Sequence, residues 1–267
     1  MFIGAHPDDP DFYCGGAAIK LVKAGHVVKF LSVANGDCGH HIMTGEETAA
    51  RRRIESNNVA KTLGLLEYEV MPIHDCCVEN TLANREAILR SIRRFAPDLV
   101  VTHRSCDYHA DHRATAQMVA DTAYLLKVPH YCQDTPPPKN DPVYAFCYDS
   151  FTDPRPIRPD AVVTFDDCLD EKRKILNCHL SQFYEWLPWA DQGGLEMDYN
   201  TMTEEERNAQ LGVWLKRFEN AANYARQRLI EVYGQERGAK LKYTEIFEQS
   251  PYSKVLPVDE FQALFEA

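Results

Sequence analysis

Short apolar runs alternating with helix-length stretches fill residues 1–127, and this alternation restricts the chain more than any other feature. The runs "MFIGA", "VVKFLSVANG", "YEVMPI" and "PDLVVTH" read as strands, separated by helices over Asp11–Ala24, Glu46–Leu63, Thr81–Arg94 and Asp111–Lys127. A strand that is apolar at nearly every position is covered on both faces, and strands joined through helices lie parallel. The expected fold is therefore α/β: a Rossmann-like, doubly wound, mostly parallel sheet with helices on both faces. The proline-rich "DTPPPKNDP" can hold neither a helix nor a central strand. Beyond it, "YAFCYDSF" and "AVVTF" suggest two more strands, Asp167–His179 a helix, "EWLPWADQGG" an irregular loop and Thr203–Tyr233 a long charged helix. At 267 residues one domain suffices. Its core is expected over about residues 1–182, with a helical appendage over about 183–267.

In an open sheet of this kind, sites form in the crevice beyond the carboxyl ends of the strands. The polar residues of unusual type fall there: "AHPDD" after the first strand, "NGDCGHH" after the second, "HDCCVEN" after the third and "HRSCDYHADH" after the fourth. His6, Asp8 and Asp9 crowd one turn, where two carboxylates would repel each other unless a divalent cation reversed the electrostatics. On the fourth helix His112 shares a 3.6-period stripe with Ala116, Val119, Ala123 and Leu126, so it points inward from the first turn. His6, Asp9 and His112 then form a two-histidine, one-carboxylate ligand set with open positions for water and substrate.

Taken separately, HPDD reads equally well as a turn in which Asp8 caps the next helix, and HADH as a helix start with a solvated histidine. Their joint placement at strand ends of one sheet favours the metal. A metal of this kind makes hydroxide available near neutral pH and polarises a carbonyl. Asp8, adjacent to a ligand but pointed elsewhere, suits a general base; His109 suits a donor to the oxyanion or the amine, with Asp111 favouring its protonated form.

Composition removes several alternatives. A net charge of -11 opposes binding to nucleic acid and to anionic membranes. No apolar run is long enough to cross a bilayer, and no signal-like segment opens the sequence, so a cytoplasmic protein without a membrane anchor is expected. Nine cysteines, an odd number without a CxxC pair, point to reduced thiols, and the adjacent Cys76 and Cys77 carry no assigned chemistry. No GxGxxG follows the first strand, which excludes a dinucleotide enzyme.

Together "AHPDD" at 5–9, "NGD" at 35–37, "RRIE" at 52–55, "LG" at 63–64, "HADH" at 109–112 and "HLSQ" at 179–182 resemble the LmbE-like, or PIG-L-like, zinc-dependent N-acetylglucosamine deacetylases. The resemblance covers residues 3–182. It implies one zinc ion, or another divalent metal, on His6, Asp9 and His112, with Asp8 as base and His109, oriented by Asp111, as acid or oxyanion partner. It also implies sugar contacts from Arg52, Asp75 and His179, an amino-sugar substrate, and assembly into trimers or hexamers. Two features depart from the family pattern. Pro10 stands where an acid is common, with Asp11 one place later, and Asp107 stands where an aromatic is expected, with Tyr108 adjacent. His40 and His41 are expected on a mobile loop near the cleft. Trp186, Trp189 and Tyr184 suggest either an aromatic platform for a sugar or packing. Two other readings share these residues: an iron(II)-dependent oxygenase and a non-catalytic carbohydrate-binding relative.

Overall fold

The computed structural model describes residues 1–266. Seven strands form one sheet: β1 (Phe2–Gly4), β2 (Lys29–Ala34), β3 (Glu67–Ile73), β4 (Leu99–Thr102), β5 (Val143–Cys147), β6 (Ala161–Thr164) and β7 (Thr244–Gln249). The order is β3-β2-β1-β4-β5-β7-β6. The first five strands are parallel, while β7 runs antiparallel to both β5 and β6. The helices are α1 (Asp9–Lys23), α2 (Gly45–Leu63), α3 (Leu82–Phe95), α4 (Ala110–Leu125), α5 (Leu169–Leu176), α6 (Leu187–Asp191), α7 (Glu204–Tyr224), α8 (Arg226–Tyr233), α9 (Gln235–Gly238) and α10 (Val258–Ala263). The architecture is the expected α/β one.

Strand alternation divides the core in two. Phe2, Phe30 and Val101 join the cluster under α1, α5 and α7, while their neighbours Ile3, Leu31 and Val100 join the cluster under α3 and α4. Successive side chains of a strand point to opposite faces, so continuously apolar strands feed two cores. The strand order reverses between β1 and β4, and the loops leaving these two strands border the crevice at that switch point.

Residues 183–266 are mostly helical, yet β7 returns from this segment to insert between β5 and β6. The appendage therefore completes the sheet. All six β7 residues are buried although its sequence, "TEIFEQ", carries two glutamates, which hid it among the charged residues of the tail. Glu245 accounts for its own burial by pairing with Lys172 at 2.9 Å and accepting the backbone N–H groups of Gly16 and Ala17. The long charged helix is divided at Ala225 into α7 and α8, and "EWLPWADQGG" begins at the end of a π-helical turn over Ser181–Trp186 and continues into α6. Among the described residues no helix is long and apolar enough to cross a membrane.

Candidate active site

The turn after β1 is held by close packing. A Cβ on Gly4 would lie 2.4 Å from Asp9 Cβ, so only glycine lets the strand end meet the start of α1. Asp8 occupies the N-cap position but its side chain makes no capping hydrogen bond, and Pro10 sits in the first turn, where its missing N–H costs nothing. The Asp8 carboxylate is thereby free to face the cavity.

Three side-chain atoms form a nearly equilateral triangle. His6 Nδ1 is 3.3 Å from Asp9 Oδ2, His112 Nε2 is 3.4 Å from Asp9 Oδ2, and His112 Nε2 is 3.3 Å from His6 Nδ1. Two ligands of a tetrahedral ion bound at ~2.0–2.1 Å lie roughly 3.3–3.4 Å apart, so the donor set fits a divalent metal with one corner facing away from the protein ligands. The expected ligands His6, Asp9 and His112 do meet at one point.

The other atoms of these residues are fixed by carboxylates. His6 Nε2 lies 3.1 Å from Asp75 Oδ1 and 3.4 Å from Asp111 Oδ2, and His112 Nδ1 lies 3.1 Å from Asp107 Oδ1. Such partners hold the proton on the far nitrogen and leave the near one as a lone-pair donor. Burial, with His103 beside it, lowers the His112 pKa to about 4 and keeps its imidazole neutral. Burial opposes ionisation of Asp9, but His112 and His103 outweigh it and hold the carboxylate well below its usual range. His103 Nε2 is 3.2 Å from Asp9 Oδ2, and its ring stacks on His112 with centroids 4.1 Å apart. Burial alone would lower the His103 pKa, yet Asp9 pushes it up to about 10, and the same Nε2 accepts the Ala5 backbone N–H at 3.1 Å. Sequence reasoning overlooked His103, and it gave Asp107 no role. The available signal was a histidine at the end of a buried strand, "VVTHR".

Asp8 meets Arg52. Arg52 Nη2 is 2.9 Å from Asp8 Oδ1 and also donates to the Pro7 carbonyl at 3.3 Å. The loop after β2 is shaped around this guanidinium: Gly36 has φ +73°, and a Cβ there would lie 2.7 Å from Arg52 Cδ. Burial raises the Asp8 pKa and Asp9 adds to it, with Arg52 opposing. His109 is the N-cap of α4, and its Nδ1 accepts the Asp111 backbone N–H at 3.2 Å. An accepting Nδ1 places the proton on Nε2, and the ring lines the cavity 4.7 Å from the His6 ring.

Several expected contacts fall elsewhere. Asp111 holds the His109 ring through its backbone N–H and not through its carboxylate, which is fully buried and takes His6 Nε2 and the backbone N–H groups of Cys76 and Val78. His179 is not at the cavity: it is fully buried, with Nε2 2.9 Å from Asp11 Oδ2, and Tyr68 donates to the other Asp11 oxygen at 3.0 Å. A buried carboxylate needs such partners, and Asp11 draws the histidine inward. Asp75 and Arg52 do line the cavity, but their charged groups are directed to His6 and Asp8. The "HLSQ" segment acts as a clasp, since Glu55 accepts Ser181 N–H at 2.9 Å and Gln182 donates to the Gly39 carbonyl at 3.1 Å. The loop carrying His40 and His41 is anchored, with His40 Nε2 2.8 Å from Glu185 Oε2 and His41 stacked on Trp189 at 4.6 Å. Tyr184 is buried outside the cavity, whereas Trp186 lines it.

The cavity measures about 820 Å³, and its far wall comes from the appendage: Trp186, Leu187, Trp214 and Arg217 face the histidines. The Arg217 guanidinium lies 5.0 Å from the Tyr13 ring centroid and 5.5 Å from that of Tyr148, donates to the Tyr148 carbonyl at 3.4 Å, and has no carboxylate partner within ion-pair distance among the described residues.

Residues 1–123 match the family model described as PIG-L, GlcNAc-PI de-N-acetylase. This segment is a PIG-L family domain. It contains His6, Asp9 and His112 with their carboxylate partners Asp75, Asp107 and Asp111, together with Asp8, Arg52 and His109. The whole chain is similar in fold to N,N'-diacetylchitobiose deacetylase from Pyrococcus horikoshii, with TM-score 0.71, 20% identity, and coverage of 94% of this chain and 83% of that one. It is similar to GalB, a 4-carboxy-2-hydroxymuconate hydratase from Pseudomonas putida, with TM-score 0.70, 18% identity, and 96% and 97% coverage. It is also similar to the conserved protein TT1542 from Thermus thermophilus, with TM-score 0.69, 18% identity and 96% coverage of both chains. A deacetylase and a hydratase thus share the PIG-L domain's fold, so the reaction must be argued from the site.

Proposed function

We propose that the protein is a zinc-dependent N-deacetylase that hydrolyses the acetamide of an N-acetylglucosamine-type sugar or sugar conjugate. One observation carries this reading: the His6, Asp9 and His112 triangle opens on the same cavity as an uncapped, partly exposed carboxylate, Asp8. A divalent ion held there supplies Lewis acidity, lowering the pKa of a bound water to about 7 and polarising the amide carbonyl.

The chain supplies the proton transfers. Asp8 accepts a proton from the attacking water, and its raised pKa brings it closer to the working pH than an ordinary aspartate. Arg52 holds the carboxylate in place through one oxygen, leaving the other for the water. His109 presents Nε2–H to the carbonyl oxygen as charge develops on it, a fixed donor for the oxyanion. The water oxygen bonds to the acyl carbon, the C–N bond breaks, and the Asp8 proton passes to the departing amine. Trp186 and Trp214 offer apolar faces to the sugar ring. An oxygenase would have no use for the Asp8–Arg52 pair.

The test is an acetate-release screen over N-acetylglucosamine and its conjugates with zinc restored. Acetate and free amine in equal amounts, without oxygen, is the expected result. Hydration or oxygen consumption with no acetate from any member of the panel overturns the reading.

A further inference from the structure

A second group of ligand-type side chains sits at the mouth of the cavity, on the loops after β2 and β3. His74 Nδ1 is 2.7 Å from Asp37 Oδ2, which fixes the ring proton on Nδ1 and leaves Nε2 as the lone-pair atom. That Nε2 lies 3.8 Å from Cys38 Sγ. Sulfur and nitrogen ligands of one tetrahedral zinc lie roughly 3.5 Å apart, so only a small adjustment brings both to one ion. Burial first, then Asp75 and Cys76, push the Cys38 thiol up to about 12. Cys76 has φ +62°, a conformation disfavoured for a residue with a side chain, and its N–H is held by Asp75 Oδ1 and Asp111 Oδ2, each at 2.7 Å. Cys38, Cys76 and His74 are all exposed, so an ion can reach them without unfolding.

We propose that Cys38 and His74, with Asp37 behind the imidazole, form a second cation site, selective for a thiophilic dication such as zinc, and that filling it suppresses turnover at the catalytic centre. Asp37 plays the supporting part, as Asp107 does for His112. Binding exchanges the Cys38 thiol proton, released to solvent, for a metal–sulfur bond. Because that proton must be displaced, the site fills at higher metal concentration than the His6, Asp9 and His112 set. The coupling is short. Cys38 and Cys76 line the cavity, and between His74 and Cys76 stands Asp75, whose carboxylate holds His6 and whose carbonyl accepts the Cys38 thiol at 3.5 Å. An ion drawing the two loops together narrows the mouth and displaces Asp75.

The binding half of this inference does not depend on which reaction the cavity performs, and cobalt(II) tests it without turnover. The catalytic set contains no sulfur, so the first equivalent of cobalt gives no thiolate charge-transfer band in the near ultraviolet. The expected result is that a second equivalent produces the band, that the Cys38→Ser and His74→Ala variants lose the band and that equivalent together, and that both variants still bind the first equivalent. Excess zinc then inhibits acetate release by the wild type and not by His74→Ala. One equivalent bound in total, or a band that persists in both variants, overturns the site. Two equivalents with the band but equal zinc inhibition in wild type and His74→Ala overturns the coupling. Failure of every substrate to release acetate bears on the proposed reaction and leaves the cobalt result standing.

Discussion

The two walls of the cavity differ in how tightly their polar atoms are committed. On the wall built by residues 5–112, His6, Asp9 and His112 are each held by a further carboxylate, histidine or backbone donor, and Asp8 is held by Arg52. On the wall built by residues 183–220, the Arg217 guanidinium has no carboxylate within ion-pair distance among the described residues and rests against two tyrosine rings. Fixed ligands suit an ion that tolerates little displacement, while an unpaired cation and aromatic faces suit a larger ligand that brings its own acceptors. On the proposed function, chemistry belongs to the first wall and recognition to the second.

That division can be broken most directly at the first wall. His112→Ala removes one corner of the triangle, and acetate release is expected to fall on the order of 10⁴-fold or more as the metal's contribution is lost; stoichiometric zinc by elemental analysis in this variant would refute the ligand assignment. Asp8→Asn should retain full metal content and lose ~10²- to 10⁴-fold in turnover, the usual contribution of a general base. Unchanged kcat would remove Asp8 from the reaction. Asp107→Ala leaves the triangle intact but frees His112 Nδ1, and a competition titration with a chelator should show a ~10- to 100-fold loss of zinc affinity.

Smaller effects sharpen the comparison from the other side. Arg217→Gln should raise KM about 10-fold, the equivalent of one lost hydrogen bond from a charged group, with kcat and metal content unchanged. A fall in kcat with constant KM would place Arg217 in the chemistry. The least effect concerns His179, which joins the clasp segment to Asp11. Burial works against its charge, but the Asp11 carboxylate raises its pKa above the ordinary 6.5. A raised histidine pKa stabilises the fold fully below that ordinary value, and the contribution is lost as pH rises through the folded-state value. Melting temperature should therefore fall with rising pH above neutrality more steeply in the wild type than in His179→Gln, and equal slopes in the two proteins would exclude the pair as the cause.

Much of the molecule was determined by local sequence. Apolar runs broken by helix-length stretches predict the parallel strands, because a strand covered on both faces must be apolar throughout and a helical crossover must return it in the same direction. Ligand-type residues at the ends of those strands predict the crevice and the set His6, Asp9 and His112, since the strand end and the first helical turn fix where such side chains point. Only the tertiary structure decided which carboxylate serves which histidine. Asp111 meets His6, 105 positions away in sequence, and His179 turns inward to Asp11. It also decided that "TEIFEQ" becomes a buried strand between β5 and β6, because its glutamates are neutralised by Lys172, Arg155 and Arg158 from other segments. Spacing along the chain carries periodicity, but the compensation of a buried charge depends on partners that folding alone brings near.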